Sequence, residues 1–214
     1  MMKQYQQDFI ELSLQQGALR FGEFTLKSGR CSPYFFNTGM FNTGESIAQL
    51  GGFYAAAIMD SGVEFDILFG LAYKGIPLVV ATGMVLATKY GRSVPISFNR
   101  KESKDHGEGG TIVGAPLKGR VLVLDDVISA GTAMRESTAI IYATGAVGAG
   151  VVISLDRQER GIGALSAVTQ VERELGLPVY SIIKFDHLMQ YLAGRPEMEA
   201  VLAGIRAYQA QYRA

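Results

Sequence analysis

The chain has one cysteine and two histidines among its 214 residues. A single thiol, Cys31, excludes an internal disulfide and fits a reducing, cytoplasmic setting. One cysteine and two histidines are too few for a His/Cys zinc cage. Net charge is also missing, with 20 Lys and Arg against 20 Asp and Glu. Nothing in that balance draws the chain to nucleic acid or to an anionic membrane. The first residues, Met1 to Asp8, contain no apolar signal region. The longest uncharged stretch, Ser137 to Leu155, is 19 residues and is broken by the glycines between Thr144 and Gly150. It reads as a helix end, a turn and a strand, not as a membrane span. Repeats, low-complexity tracts and Pro/Ser linkers are absent, so one domain is expected over residues 1–214. With 48% hydrophobic residues, that length can bury a full core.

What is present is an alternation of periods. Tyr5, Phe9, Leu12 and Gln16 share one helical face between Gln4 and Gln16, and Gly17 stops it. Residues 18–36 suggest short antiparallel strands with turns at Gly22 and at Lys27-Ser28-Gly29-Arg30. Asn42-Thr43-Gly44-Glu45 resembles a capping box for a helix reaching about Asp60. Then come strand Ile67–Phe69 and a helix from Pro77 to about Lys89. Strand Val94–Phe98 leads into a long polar loop. Strand Val121–Leu124 precedes a helix starting at about Ala133 and ending near Gly145. Strand Val151–Leu155 precedes a helix ending at Gly176. Strand Val179–Ile183 and two closing helices follow. Such alternation predicts an α/β fold with a mostly parallel central sheet covered by helices on both faces. A small N-terminal hood, about 18–40, stands before it.

Val121 to Ala133 is the most informative stretch. Four apolar residues make a buried strand, and Asp125 and Asp126 follow at its carboxyl end, where open α/β sheets bind ligands. The small-residue turn Ser129-Ala130-Gly131-Thr132 then opens a helix, whose free N–H groups and dipole suit a phosphate. Two carboxylates beside a phosphate cradle call for a ligand with free hydroxyls or a divalent cation. A phosphorylated sugar with magnesium satisfies both. The bland alternative is an ordinary strand–turn–helix with an Asx-type turn.

Two more strand-end segments belong with it. Gly70-Leu71-Ala72-Tyr73-Lys74-Gly75 is not a P-loop, because Ile76 follows Gly75. Its glycines allow a tight bend and Lys74 supplies a cation, unless it is a plain turn with a surface lysine. Asn99 to Gly110 has no apolar residue and three glycines. It is either a solvated loop, with Arg100, Lys101 and Lys104 balanced by Glu102, Asp105 and Glu108, or a mobile lid carrying cations and His106. Phe35 and Phe36 are adjacent on a short strand and point to opposite faces, so one can be core while the other lines a pocket. Arg157 follows another strand end, where its guanidinium can bind carbonyl or carboxylate oxygens, or simply pair with Glu159.

The Val121–Ala133 stretch closely resembles the phosphoribosyl pyrophosphate signature of the type I phosphoribosyltransferases. The pattern Lys-Ser-Gly-x-x-Ser-Pro-x-Phe-x-Asn, from Lys27 on, resembles the base hood of the orotate phosphoribosyltransferases among them. Arg-Lys-x-x-Lys-x-His, from Arg100, is similar to their catalytic loop. The resemblance runs from Phe21-Gly22 through the final helices. Ser129 departs mildly, where many relatives carry threonine.

The resemblance implies transfer of a phosphoribosyl group from phosphoribosyl pyrophosphate to orotate, with magnesium. It implies that Asp125 and Asp126 hold ribose hydroxyls and the metal's waters. Val127, Ile128, Ser129, Ala130, Gly131, Thr132 and Ala133 would cradle the 5-phosphate. Lys27, Tyr73, Lys74, Arg100, Lys101, Lys104 and His106 would meet the pyrophosphate, and Lys27, Phe35, Phe36, Ser129 and Arg157 the base. It also implies a homodimer whose lid serves the neighbouring site. A phosphoribosyltransferase for another nucleobase, or a regulator sensing phosphoribosyl pyrophosphate, is the alternative. A nucleic-acid-binding regulator should show a basic face or an added helix-turn-helix, and the sequence shows neither.

Overall fold

The computed structural model describes residues 2–26, 29–104, 110–128, 131–161 and 163–214, with only the backbone of 103, 104 and 110. Helix α1 (Gln4–Gln15) buries Phe9 and Ile10 and ends before Gly17, which takes φ 68°. Strands β1 (Leu19–Thr25) and β2 (Cys31–Phe36) form an antiparallel hairpin. Gly22 is not a turn, as the sequence suggested. It lies within β1, where the pairing shifts between Phe21 and Phe24, and its φ of 149° marks a bulge. A 3-10 turn at Thr38–Met40 leads to α2 (Gly44–Ser61). The cap of α2 is Thr43 with Ser46, not Glu45: the Ser46 N–H donates to the Thr43 hydroxyl at 3.1 Å.

The remaining elements alternate. They are β3 (Ile67–Gly70), α3 (Gly75–Tyr90), β4 (Ile96–Lys104), β5 (Gly110–Gly114), β6 (Arg120–Leu124) and α4 (Thr132–Ala143). Then come β7 (Val147–Asp156), α5 (Ala167–Leu175), β8 (Val179–Lys184), α6 (Phe185–Ala193) and α7 (Glu199–Tyr212). Six strands make one sheet in the order β5-β4-β3-β6-β7-β8. All neighbours are parallel except β5 against β4.

One correction concerns the polar segment. Half of the expected loop is strand: β4 runs on to Lys104, and β5 returns along it, pairing Asn99 with Ile112. Backbone hydrogen bonding to β5 extends the strand beyond its apolar pattern, and sequence periodicity does not register such pairing.

Burial explains why the sheet is covered on both faces. Val121 to Leu124 are each fully buried. Leu68, Leu122, Leu124 and Val152 join one core with residues of α1, α2 and α3. Ile67, Phe69, Val121, Val123, Val151 and Ile153 join a second with Met134 and Ile141 of α4 and Val171 of α5. Side chains alternate across each strand, so near-continuous apolar runs are what a doubly covered sheet requires. The strand order reverses between β3 and β6, and the crevice beyond their carboxyl ends is where ligands bind in such sheets.

Candidate active site

Parallel pairing brings the chemistry to one edge. Gly70 pairs with Leu124 and with Phe98, and Leu124 pairs with Val152. The segments after β3, β4, β6 and β7 therefore leave the sheet on the same side. Lys74 follows β3, the acidic pair follows β6 and Arg157 follows β7, while Arg100 and Lys101 lie in the carboxyl half of β4 itself.

The acidic pair is built into the turn it follows. The Asp126 N–H donates to Asp125 Oδ1 at 2.8 Å, and the Val127 N–H to Asp126 Oδ1 at 2.8 Å. The Tyr54 hydroxyl donates to the Asp125 carbonyl at 2.7 Å, and the Ser154 hydroxyl to the Asp126 carbonyl. Asp125 is 9% exposed. Burial, and then the charge of Asp126, push its carboxyl up to about 7. Asp126 is the more open partner. Its Oδ2 lies 2.5 Å from Lys74 Nζ and accepts from the Thr38 hydroxyl at 3.4 Å. Lys74 is thus tied to the acidic pair across the two loops, while its side chain stays 55% exposed.

The segment before α3 is shaped by close approach. The Ala72–Tyr73 peptide is cis. The Ala72 N–H donates to Asn99 Oδ1 at 2.7 Å, and Asn99 is 2% exposed. Asn99, expected at the start of a lid, is instead a buried anchor between β4 and this loop. Tyr73 is exposed, and Lys101 Nζ sits 5.6 Å from its ring centroid. Arg100 and Lys101 both lie on β4. Lys104 ends that strand; its side chain lies outside the described residues, as do His106 and Lys27.

Gly131 takes φ 70° and caps α4, which begins at Thr132, one residue before the expected start. The first turn of α4 carries no acidic side chain, so its free N–H groups face no competing carboxylate there. Thr132 is exposed and Ala133 half-buried; Ser129 and Ala130 lie outside the described residues. Ile128 is 8% exposed and belongs to the α4–α5 core, and Val127 is partly buried against the other core. From Ile128 only the backbone is available to a ligand.

The hood splits its two aromatics. Phe36 is a core side chain, 8% exposed with its ring 6.1 Å from that of Phe9, so it is not a base contact through its ring. Phe35 is half-buried beside Phe24, the two rings 5.5 Å apart, with Arg20 over both. Arg157 stacks on Tyr34, its guanidinium carbon 4.2 Å from the ring centroid, and pairs with Glu159 at 2.8 Å. The pairing with Glu159 is the bland alternative that the sequence left open, and the structure adopts it. The hydroxyls of Tyr54, Thr38 and Ser154 around the acidic pair were not foreseen. They come from distant elements and carry no local motif.

No group of three or more His, Cys, Asp and Glu among the described residues is arranged to hold a metal. No described helix is long and apolar enough to cross a membrane.

The family model of the phosphoribosyl transferase domain matches residues 37–172. Over 211 residues the chain is 59% identical to the orotate phosphoribosyltransferase of Pseudomonas paraeruginosa, covering 99% of each. It is 61% identical to that of Cronobacter sakazakii over the same length, again 99% of each. The crystal structure of Francisella tularensis orotate phosphoribosyltransferase matches with a TM-score of 0.89 at 44% identity, covering 97% of this chain and 100% of that one.

Proposed function

The chain belongs to the phosphoribosyltransferase family, among the orotate phosphoribosyltransferases, and from that premise we propose how its site works. The reaction joins N1 of orotate to C1 of the ribose of phosphoribosyl pyrophosphate. The C1–O bond to pyrophosphate breaks, and orotidine 5′-phosphate and pyrophosphate leave. It is a step of pyrimidine nucleotide synthesis, expected in the cytoplasm.

The observation that carries the reading is the meeting of Lys74 and Asp126, 2.5 Å apart, at the switch point of the sheet. A cation for the pyrophosphate and an anion for the ribose side stand at adjoining strand ends. As C1–O breaks, negative charge grows on the leaving group and positive charge on the ribose. Lys74, Arg100, Lys101, Lys104 and His106, together with Lys27 and Tyr73, are assigned to the first. Asp125 and Asp126 support the second through the ribose hydroxyls. The N–H groups from Val127 to Ala133, with the Ser129 and Thr132 hydroxyls, seat the 5-phosphate. Lys27, Phe35, Ser129 and Arg157 meet orotate, and Phe36 supports the pocket wall from the core. A cationic pocket favours the N1 anion of the base, so no strong general base is required.

Magnesium fits the donor set. The hard carboxylate oxygens of Asp125 and Asp126 suit such an ion, which would keep most of its waters. Asp125 and Asp126 would hold it through those waters, and it would neutralise leaving-group charge. A homodimer whose lid serves the neighbouring site is part of the same reading.

The test is direct. Purified protein should remove the ultraviolet absorbance of orotate only with phosphoribosyl pyrophosphate and magnesium. Equal or faster use of hypoxanthine, adenine or uracil would overturn it.

A further inference from the structure

The segment after β7 is fixed from three sides. The Arg157 Nε donates to Glu159 Oε1 at 3.0 Å, and Nη2 donates to the Ser32 hydroxyl at 3.1 Å. Glu159 accepts more than this arginine. The Tyr34 hydroxyl donates to Oε1 at 2.9 Å, and the Tyr208 hydroxyl to Oε2 at 3.0 Å. Tyr34 belongs to the hood and Tyr208 to α7. Burial holds the Tyr34 hydroxyl well above its ordinary pKa, and burial followed by the charge of Glu159 raises that of Tyr208. Both therefore stay protonated and remain donors.

The backbone is held as firmly. Gln158 takes φ 51°, an uncommon conformation for a residue with a side chain. Its N–H donates to Asp156 Oδ1 at 2.9 Å, and its Oε1 accepts the Asp186 N–H at 3.0 Å. The Arg160 N–H donates to the Tyr212 carbonyl at 2.8 Å.

These contacts leave one part of the guanidinium spare. Its face lies on Tyr34, Nε is on Glu159, and Nη2 is on Glu159 and Ser32. Nη1 takes part in none of these contacts with Glu159 and Ser32, and the Tyr208 hydroxyl is a further neighbour of the guanidinium. An arginine held at every group but one is pre-organised, because its long side chain has little rotamer freedom left to lose on binding.

We propose that Glu159 is a positioning residue for base recognition. It fixes Arg157 so that Nη1 remains for an oxygen of the base, and through Tyr208 it makes helix α7 part of base selection. This deepens the reading of Arg157 as an orotate contact and rests on it.

Steady-state kinetics of single variants test it, with folding checked by circular dichroism and thermal unfolding. Glu159→Gln should raise the KM for orotate by about tenfold, the scale of one charge-assisted hydrogen bond. The KM for phosphoribosyl pyrophosphate should stay within about twofold, since the other substrate's groups are on different loops. Glu159→Asp, which keeps the charge, should recover part of the loss. Tyr208→Phe removes one hydroxyl from α7 and should raise the orotate KM by about threefold. In an Arg157→Ala background, Glu159→Gln should add less than about twofold, because the group it positions is gone.

An unchanged orotate KM in folded Glu159→Gln overturns the proposal, as do equal rises for both substrates or full additivity with Arg157→Ala. If Glu159→Gln does not fold, Glu159→Asp and Tyr208→Phe give the same split or overturn it. The two levels separate cleanly. If Arg157→Ala leaves the orotate KM unchanged, the reading of Arg157 falls and this proposal with it. If Arg157→Ala raises that KM and the Glu159 and Tyr208 variants do not, only the positioning role falls.

Discussion

Gly70 and Gly75 pack backbone against backbone, at the end of β3 and the start of α3. A Cβ on Gly70 would lie 2.2 Å from the Gly75 carbonyl oxygen. One on Gly75 would lie 2.8 Å from the Gly70 carbonyl carbon and 3.0 Å from the Leu124 carbonyl oxygen. The tight bend that carries Lys74 therefore exists because neither residue has a side chain, and because β6 runs close beside both.

Alanine at either position should force strand and helix apart. Gly70→Ala should destabilise the protein by about 2 kcal/mol or more, as overpacking against rigid backbone does. Gly52→Ala is the control: Gly52 lies within α2, and a Cβ there meets nothing within 4 Å. That change should be neutral or stabilising by up to about 1 kcal/mol, from helix propensity alone. Urea unfolding of the two variants distinguishes them. Equal midpoints would show that the Gly70–Gly75 contact is not what shapes the loop.

Asp125 gives a prediction with a sign. Its carboxyl is pushed up to about 7 from an ordinary 3.8, first by burial and then by Asp126. The folded state therefore holds the proton more tightly than the unfolded chain. Stability from this group is fully present below about pH 4, falls as pH rises toward 7, and is flat above. Asp125→Asn removes that dependence, and its amide oxygen can still accept the Asp126 N–H. The variant should be more stable than the parent at pH 8, by on the order of 1 kcal/mol or more, and the difference should vanish near pH 4. Activity should move the other way. Asp125→Asn with Asp126→Asn should lower turnover by on the order of a hundredfold, the scale of losing an electrostatic stabiliser. A folded double variant with near-normal turnover would remove the acidic pair from the mechanism.

The sequence was most legible where local pattern and tertiary structure coincide. Val121 to Leu124 is apolar at every position because both faces of β6 are buried, so a bare apolar run was enough to identify it. The acidic pair and the Gly131 turn follow in register, which is why the signature could be read without coordinates. Legibility failed where a distant strand or helix decides the outcome. Lys101 to Lys104 are polar and carry no strand period, and β5 makes them strand all the same. Phe35 and Phe36 could be assigned opposite faces, but only the position of Phe9 decides that Phe36 is the core one. The Tyr54 hydroxyl on the Asp125 carbonyl spans 71 residues of chain. Side chains brought together across such distances leave no trace in sequence spacing.

The last prediction concerns the proposed sharing of the lid between two copies. Arg100 and Lys101 lie on β4, and that strand runs next to the edge of the sheet, with only β5 outside it. β4 and β5 therefore lie at the periphery of the sheet, on the side the sharing proposal requires. Two inactive variants test this, Lys104→Ala and the double change Asp125→Asn with Asp126→Asn. In a two-fold dimer with lids acting in trans, a mixed dimer has one site with an intact lid and an intact acidic pair, and another site with both defects. Mixing under conditions of subunit exchange should then restore up to about half the activity per mixed dimer, the share expected of one intact site in two. If each lid closes over its own subunit, both sites of the mixed dimer keep one defect and no activity returns. Exchange is checked by native mass spectrometry, so that an inactive mixture with mixed dimers present assigns the lid to its own chain. A mixture in which native mass spectrometry shows only monomers would instead reject the dimer itself.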